Sequence, residues 1–406
     1  MNTPLNIVCM GGGTGLPQLL MGLKLLCREL SGLEMVALDH ISVIVTAFDD
    51  GGSSGRIVEA YQTLPPGDLR NCLLALADER LEPLMTRFFN HRFREDEHEA
   101  LAGHSVGNLL LLTLSQIYGG DIRKALLAIR QILPIQSTIL FPTLSPAVLC
   151  ARLTNGTVVR GESRIAERED RAPIAELFLE HRGTPTSPGF PPMEGVLEAI
   201  EAADVITLGP GSLYTSILPH FLVDGISEAV RRSKALKIYL CNLMTEVGET
   251  DGYRISDHLR HLERNAGIQL GAVIANDTPV NEVLRLAYER ERAQLQFRTT
   301  CRALERAFER ALEAPAQVPE FKHQIEHAAT HFNALADQLR HPGSSFVQVL
   351  PAASEQLPEG VKIITTDLLA DVEVAEKDGG TKRVIRHDPL KLALAILDLV
   401  QSEGSA

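Results

Sequence analysis

The chain has 406 residues, 45% of them apolar and 22% charged, with a formal net charge of −13. That balance predicts a soluble globular protein with a sizeable core. It argues against wholesale binding of nucleic acid or an anionic membrane, so an anionic ligand must be met by local donors. The six cysteines (Cys9, Cys27, Cys72, Cys150, Cys241, Cys301) contain no C-x-x-C pair and read as reduced thiols of a cytosolic protein. No apolar run approaches the roughly 18 residues of a membrane span, and the first ten residues lack the basic start of a signal peptide.

LNIVCM (5–10) is short and continuously apolar, which predicts a strand buried on both faces of a parallel sheet. GGGTG follows, then a helix with Pro17 in its first turn and Leu16, Leu19, Leu20, Leu23, Leu26, Cys27 and Leu30 along one face. ISVIVTAF (41–48) predicts a second buried strand, running into FDDGGSSGR (48–56). In PPGDLRNCLLALAD (65–78), Pro66-Gly67 predicts a turn and Asp68 a cap for the helix of Leu69, Cys72, Leu73 and Leu76. GHSVGNLLLLTL (103–114) predicts a helix capped by Ser105, and Asp121 opens another that Pro134 stops.

AVLCARLTNGTVVRGES (147–163) predicts a β-hairpin with a two-residue type I′ turn at Asn155-Gly156. The stretch 183–192, rich in Pro and Gly, predicts a surface loop. DVITLGPGSLYTSILPHF (204–221) repeats the pattern of strand, glycine turn and helix; LKIYLCNLMTEVGETDG (236–252) and GAVIAND (271–277) add two strands. From 281 to 345 the texture changes. Cys301, Leu304, Phe308 and Ala311, then Phe321, Ile325, Ala328, Phe332, Leu335 and Leu339, keep helical spacing on either side of Pro315 and Pro319, which predicts a helical hairpin. FVQVL, VKIITTDL and KRVIRHDP predict further strands, and Leu390, Leu392, Ala393, Ile396 and Leu397 a closing helix.

Repetition of strand, glycine-rich turn and helix predicts an α/β, Rossmann-like, doubly wound and mostly parallel sheet with an added β-hairpin. Residues 1–280 would form a nucleotide-binding core, 281–345 a helical insertion, and 346–406 the strands and helix that complete the core. In such a sheet the loops at the C-terminal strand ends bind ligand. Here they are Gly11–Gly15 (with Gly12, Gly13 and Thr14), Asp49–Arg56, Gly209–Ser212 and Asn242–Thr250. Glycine lets main-chain N–H groups approach an oxyanion, and a helix N-terminus adds about half a positive charge. Four such loops together suit a phosphorylated ligand.

Simple motifs fail. GGGTGLPQ has no P-loop lysine, and the third glycine of a dinucleotide fingerprint is Leu16, so a nicotinamide enzyme is the weakest reading. GHSVG matches a nucleophile elbow but follows a charged stretch rather than a buried strand, so Ser105 reads as a cap or ligand contact. His323, His327 and His331 share a helix face that reads as solvated. Asp49 and Asp50 suit Mg²⁺ beside ligand phosphates, a sugar hydroxyl, or an Asx-turn, and Asp50 is the one candidate catalytic group. Arg56 suits a phosphate or a surface pair; Asp68, Arg70 and Asn71 form a second polar cluster at a helix start.

Taken together, GGGTGL, FDDGGSSGR, PPGDLRNCLLALAD, GHSVGNLLL, GPGSLYTSILPHFL, CNLMTEVGETDGY and RHDPLKLA resemble the YvcK-type gluconeogenesis factors of the CofD-like superfamily. The resemblance implies a Rossmann-like fold and a cytoplasmic bacterial protein needed for growth and cell shape on gluconeogenic carbon sources. It also implies binding of UDP-sugars such as UDP-N-acetylglucosamine. Related CofD enzymes transfer a phospholactyl group with Mg²⁺, which is the alternative activity. On this reading Gly12, Gly13, Gly51, Gly52 and Gly211 cradle a diphosphate, and Ser53, Ser54 and Ser212 add hydroxyls. Asp49 or Asp50 takes a sugar hydroxyl or metal, and Asn108, Gly209, Asn242 and Thr245 help shape the pocket. Tyr288 matches a tyrosine implicated in nucleotide-sugar binding. A homo-oligomer and a regulatory protein partner are further expectations.

Overall fold

The computed structural model describes residues 4–29, 35–78, 82–94, 100–168, 172–183, 188–314, 318–340, 348–352, 355–375 and 381–404. Strand β1 (Ile7–Gly11) is buried along its whole length, as its unbroken apolar run requires. It leads through α1 (Gly15–Glu29) to β2 (Ile41–Val45). Four helices follow: α2 (Gly52–Tyr61), α3 (Pro66–Leu76), α4 (Glu82–Asn90) and α5 (Val106–Ile117). Ser105 caps α5 by accepting from Asn108 N; Asp121 caps α6 (Ile122–Ile132) by accepting from Arg123 N and Lys124 N. Strand β3 (Thr138–Leu140) then joins β2 in parallel.

A small antiparallel sheet comes next, from β4 (Ala147–Leu153), β5 (Val158–Arg160) and β6 (Ile174–His181), with helix α7 (Glu162–Ala166) inside it. The β4–β5 turn differs from the type I′ expectation. Leu153 N donates to Thr157 O and Gly156 N to Leu153 O, so the loop has three residues. Only Gly156 takes a positive φ, 88°, while Asn155 keeps a negative one and accepts from Thr157 N. This is a type I turn closed by a glycine bulge, which needs one left-handed residue rather than two.

Helix α8 (Val196–Glu201) leads to β7 (Val205–Leu208), α9 (Ile226–Arg232), β8 (Leu236–Leu240), α10 (Ile255–Ala266) and β9 (Ala272–Asn276). After β7 the expected regular helix is instead a π turn (Leu213–Ile217) and a 3₁₀ turn (Leu218–Leu222). Pro219, which offers no N–H to an α-helical ladder, sits at the break.

The helical hairpin is present as α11 (Glu282–Glu313) and α12 (Val318–Arg340). Pro319 lies inside the first turn of α12, where a missing N–H costs nothing, and Pro315 lies outside the described residues. Strand β10 (Lys362–Thr366) extends the main sheet beside β9, while β11 (Leu369–Ala375) and β12 (Thr381–His387) form a separate antiparallel pair. Of FVQVL, Phe346 and Val347 lie outside the described residues and Gln348 makes only an isolated bridge to Met244. Helix α13 (Pro389–Gly404) closes the chain against α1. Among the described residues no helix is long and apolar enough to cross a membrane.

The main sheet is parallel throughout, in the order β10-β9-β8-β7-β1-β2-β3. From β1 the chain moves one way, to β2 and β3; from β7 it moves the other, to β8, β9 and β10. The order therefore reverses between β1 and β7, the place where an open α/β sheet forms a ligand crevice.

Candidate functional site

The turns leaving β1 and β7 meet at that crevice. A Cβ added to Gly11 would touch Pro210 O and Gly209 Cα, and one on Gly12 would run into Thr46 and Asp68. Gly211 lies close beside Gly12 O and Ser216, 3.2 and 3.1 Å from where a Cβ would stand. On the β2 side, Gly67 in the first turn of α3 lies against Ser54 and Asp49. Residues 11–15, 49–56, 66–71 and 209–212 are thus one neighbourhood.

Several main-chain groups there serve the protein itself. Asp68 does not cap α3 as expected: it sits two residues inside the helix, and its Oδ2 accepts from Gly13 N at 2.9 Å. Asp49 Oδ1 accepts from Gly51 N at 2.9 Å, so its Asx-turn is real. Gly211 N reaches Asn242 Oδ1 at 3.4 Å. The expected cradle is accordingly narrower, since Gly13 and Gly51 already donate. What stays open is the start of α2. Gly51 is its N-cap and supplies no side-chain acceptor, so Gly52, Ser53 and Ser54 begin the helix with N–H groups that have no acceptor one turn back.

Beneath this helix start lies a buried polar network. Arg70, 7% exposed, donates from Nη1 to Ser105 Oγ (2.6 Å) and Asn108 Oδ1 (3.0 Å), and from Nη2 to Asn71 Oδ1 (2.9 Å). Asn108 Nδ2 donates to Ser53 Oγ at 3.1 Å, and His104 Nδ1 lies 2.9 Å from the same oxygen. The network fixes the first turn of α2 from below. Ser105 is fully buried, capping α5 and accepting from Arg70, a use at odds with a nucleophile. Arg56 is exposed and donates to Ala102 O at 2.5 Å.

The opposite wall is acidic. Asp50 Oδ1 accepts from Ser163 N at 2.8 Å, which ties the β2–α2 loop to α7. Ser212 Oγ donates to Glu249 Oε2 at 2.5 Å and accepts from Thr215 N at 3.3 Å. Burial pushes Glu162 up to about 8, with Asp49, Glu249 and Asp50 adding to the effect. Burial also raises Glu246 and Glu249. Arg168 opposes this charge, its guanidinium donating to Ile165 O (2.7 Å) and to Gly248 O. Thr245 is buried nearby in sequence, and Thr14 is exposed at the rim. Glu162, Glu249, Arg168 and His104 escaped the sequence reading; His104 and Glu249 lie within quoted motifs and Glu162 within the predicted hairpin stretch, whereas nothing local marks Arg168.

The hydroxyl of Tyr288 accepts from Ile385 N at 2.8 Å and braces α11 against β12. His323 is exposed, and the side chains of His327 and His331 lie outside the described residues.

Asp68 carries a pH signature. Burial first, and then neighbouring Asp49, raise its carboxyl from 3.8 to about 6. The folded state therefore holds this proton more tightly than the unfolded chain, and ionisation costs stability as pH rises between those values. Asp68→Asn, which keeps an acceptor for Gly13, is expected to raise the unfolding free energy at pH 7.5 by about 2–3 kcal/mol. The gain should shrink as pH falls below 6 and vanish under 3.8, a trend that urea unfolding at a series of pH values would measure.

A family model described as 2-phospho-L-lactate transferase CofD matches residues 7–314, a span that holds every loop of this crevice. The chain belongs to the CofD family. It is 40% identical over 290 residues to a gluconeogenesis factor of Halalkalibacterium halodurans, covering 71% of this chain and 83% of that one. It is 39% identical over 289 residues to the gluconeogenesis factor of Bacillus subtilis, covering 71% and 84%. A crystal structure of a Bacillus halodurans protein superposes with a TM-score of 0.71 at 31% identity, over 97% of this chain and all of that one. The CofD-family fold and the likeness to gluconeogenesis factors agree with the resemblance read from the motifs.

Proposed function

We propose that this protein binds a nucleoside-diphosphate sugar of the UDP-N-acetylglucosamine type in the crevice outside β1 and β7. In this reading it is a cytoplasmic binding protein that supports growth and cell shape on gluconeogenic carbon sources, acting through a protein partner. The observation that carries the reading is the uncapped start of α2 beside the glycine turns of β1 and β7. A diphosphate would accept from the N–H groups of Gly52, Ser53 and Ser54, and Ser53 Oγ is already oriented by Asn108 and His104. Acidic groups on the far wall suit sugar hydroxyls, which a carboxyl can meet as acceptor or, when protonated, as donor. Tyr288, whose hydroxyl accepts from Ile385 N, would meet the nucleotide through its O–H as donor or through its ring face. Titration calorimetry with UDP-N-acetylglucosamine should give saturable heat and a raised melting temperature; no heat and no shift at millimolar ligand would sink the reading.

The family's Mg²⁺-dependent transfer of a phosphoryl-linked group is the second reading, favoured by the family model and the acidic pair. Asp49 is close enough to Asp68 to raise its proton affinity, as Asp50 does that of Asp49, a repulsion that a divalent cation would relieve. Among the described residues no three His, Cys, Asp or Glu side chains form a metal cluster. Mg²⁺ is commonly held by one or two carboxylates plus substrate phosphates, so the residues fit it only with ligand present. Bound there, it would neutralise charge on the transferring group. Asp50, engaged with Ser163, is less available as a metal ligand than expected. Turnover of a phosphoryl-linked donor and an alcohol that needs Mg²⁺ would decide for this reading.

A further inference from the structure

Ser53 has one hydroxyl proton, and its oxygen lies between two polar side chains. The amide of Asn108, the first of them, cannot be turned round. Arg70, which only donates, reaches Asn108 Oδ1 at 3.0 Å, so Nδ2 is the end that faces Ser53 Oγ, at 3.1 Å. The serine must therefore accept from Asn108. His104 is the second neighbour, its Nδ1 2.9 Å away. The main chain that carries this ring is held firmly. His104 N donates to Leu101 O (3.0 Å), Phe93 N donates to His104 O (3.1 Å), and Arg56 and Arg92 donate to the carbonyls of Ala102 and Gly103. Burial, then Arg56 and Arg92, hold the proton affinity of His104 below the usual histidine value. At neutral pH its imidazole is therefore neutral and has a single N–H to place. Ser53 is 7% exposed and His104 9%, so water competes little for either.

We propose that His104 is a positioning residue for the ligand's phosphates: donating from Nδ1 to Ser53 Oγ, it turns the serine's one O–H outward, toward an oxyanion held at the start of α2. The inference rests on the reading of this crevice as a diphosphate site. Two arrangements satisfy the ring. With Nδ1 bare, Ser53 donates to it and the hydroxyl is used inside the protein. With Nδ1 protonated, Oγ accepts twice, and its own proton has no acceptor among the described residues. That second state is unfavourable while the crevice is empty. It becomes favourable once an anionic oxygen arrives beside the free N–H groups of Gly52, Ser53 and Ser54. Exchange between the two moves one proton from Nε2 to Nδ1 through water, with no net change of charge. A ligand group that only donates would gain nothing from the outward hydroxyl, so the device selects an anion.

Titration calorimetry on the full chain tests this with two probes, UDP-N-acetylglucosamine and inorganic pyrophosphate. Ser53→Ala and His104→Ala should each weaken binding at least about 10-fold. The double variant should be no weaker than either alone, because each change removes the same donor. His104→Asn, whose amide can stand where Nδ1 does, should recover most of the loss, which a lost packing contact would not predict. Nitrogen-15 spectra of histidine-labelled, unaltered protein give a readout that needs no binding variant. They should place the His104 proton on Nδ1 when ligand is bound, with His104→Asn identifying the signal. Losses that multiply in the double variant, an asparagine variant as weak as the alanine one, or a bare Nδ1 in the complex would each overturn the proposal. Binding of pyrophosphate without the nucleotide sugar would remove the UDP-sugar reading alone, and the same variants then judge His104 on pyrophosphate. Binding of neither removes both.

Discussion

Gly22→Ala is expected to lower the unfolding free energy by about 2–3 kcal/mol, although it adds one methyl group in mid-helix, where alanine is normally the better residue. Gly22 lies where α1 crosses α13, and a Cβ there would overlap the main-chain carbonyl of Pro389 and press on Ala393. A carbonyl at a helix start cannot swing aside as a side-chain tip can, so the two helices must separate. That opens the packing of Leu19, Leu23 and Leu26 against Leu392, Ala393 and Ile396, all buried. Urea unfolding of the single variant would read the loss as a lower midpoint at constant slope. A stability equal to or above that of the unaltered chain would mean that α13 is not seated on α1 as described.

Arg70→Met should cost more, about 3–5 kcal/mol. The guanidinium is nearly enclosed, and burial together with Arg92 lowers its proton affinity only to about 10, so it stays charged at neutral pH. Removing it strands the acceptors on Ser105, Asn108 and Asn71 and leaves Asp68 and Asp49 without their nearest cation. Arg70→Lys restores charge without the planar fork that reaches three side chains at once, and should recover less than half of the loss. Because Asn108 also holds Ser53, the proposed function predicts that the lysine variant binds UDP-N-acetylglucosamine more weakly than its residual stability alone would suggest. Chemical denaturation and calorimetry on the same preparations separate the two effects. A methionine variant within about 1 kcal/mol of the parent would show that the network is not what supports α2.

What could be read from the chain follows from how local each signal is. Strands β1, β7 and β9 lie inside mostly apolar runs because both sheet faces are covered, and every residue in them is buried, Thr207 and Asn276 included. The glycine turns were legible for the same reason: strand, glycines and helix follow one another within a few positions. Asp68 was misread because a carboxylate after Pro-Gly looks like a cap, whereas its acceptor role is defined by Gly13, 55 residues away. Glu162 lies at the end of the stretch that reads as a hairpin and Arg168 follows it without pattern, and only the docking of α7 on Asp50 brings them to the crevice. The type I′ expectation failed because Asn-Gly fits two turn geometries, and the register between β4 and β5 makes the choice.

The embrace of α1 by α13 also has a consequence for manufacture. The second element of the chain and its final one share a single layer over the main sheet. During synthesis the apolar stripe on α1 must wait, partly bare, until residues 389–404 clear the ribosome, so a nascent chain stalled anywhere before that point presents a greasy helix to chaperones and proteases.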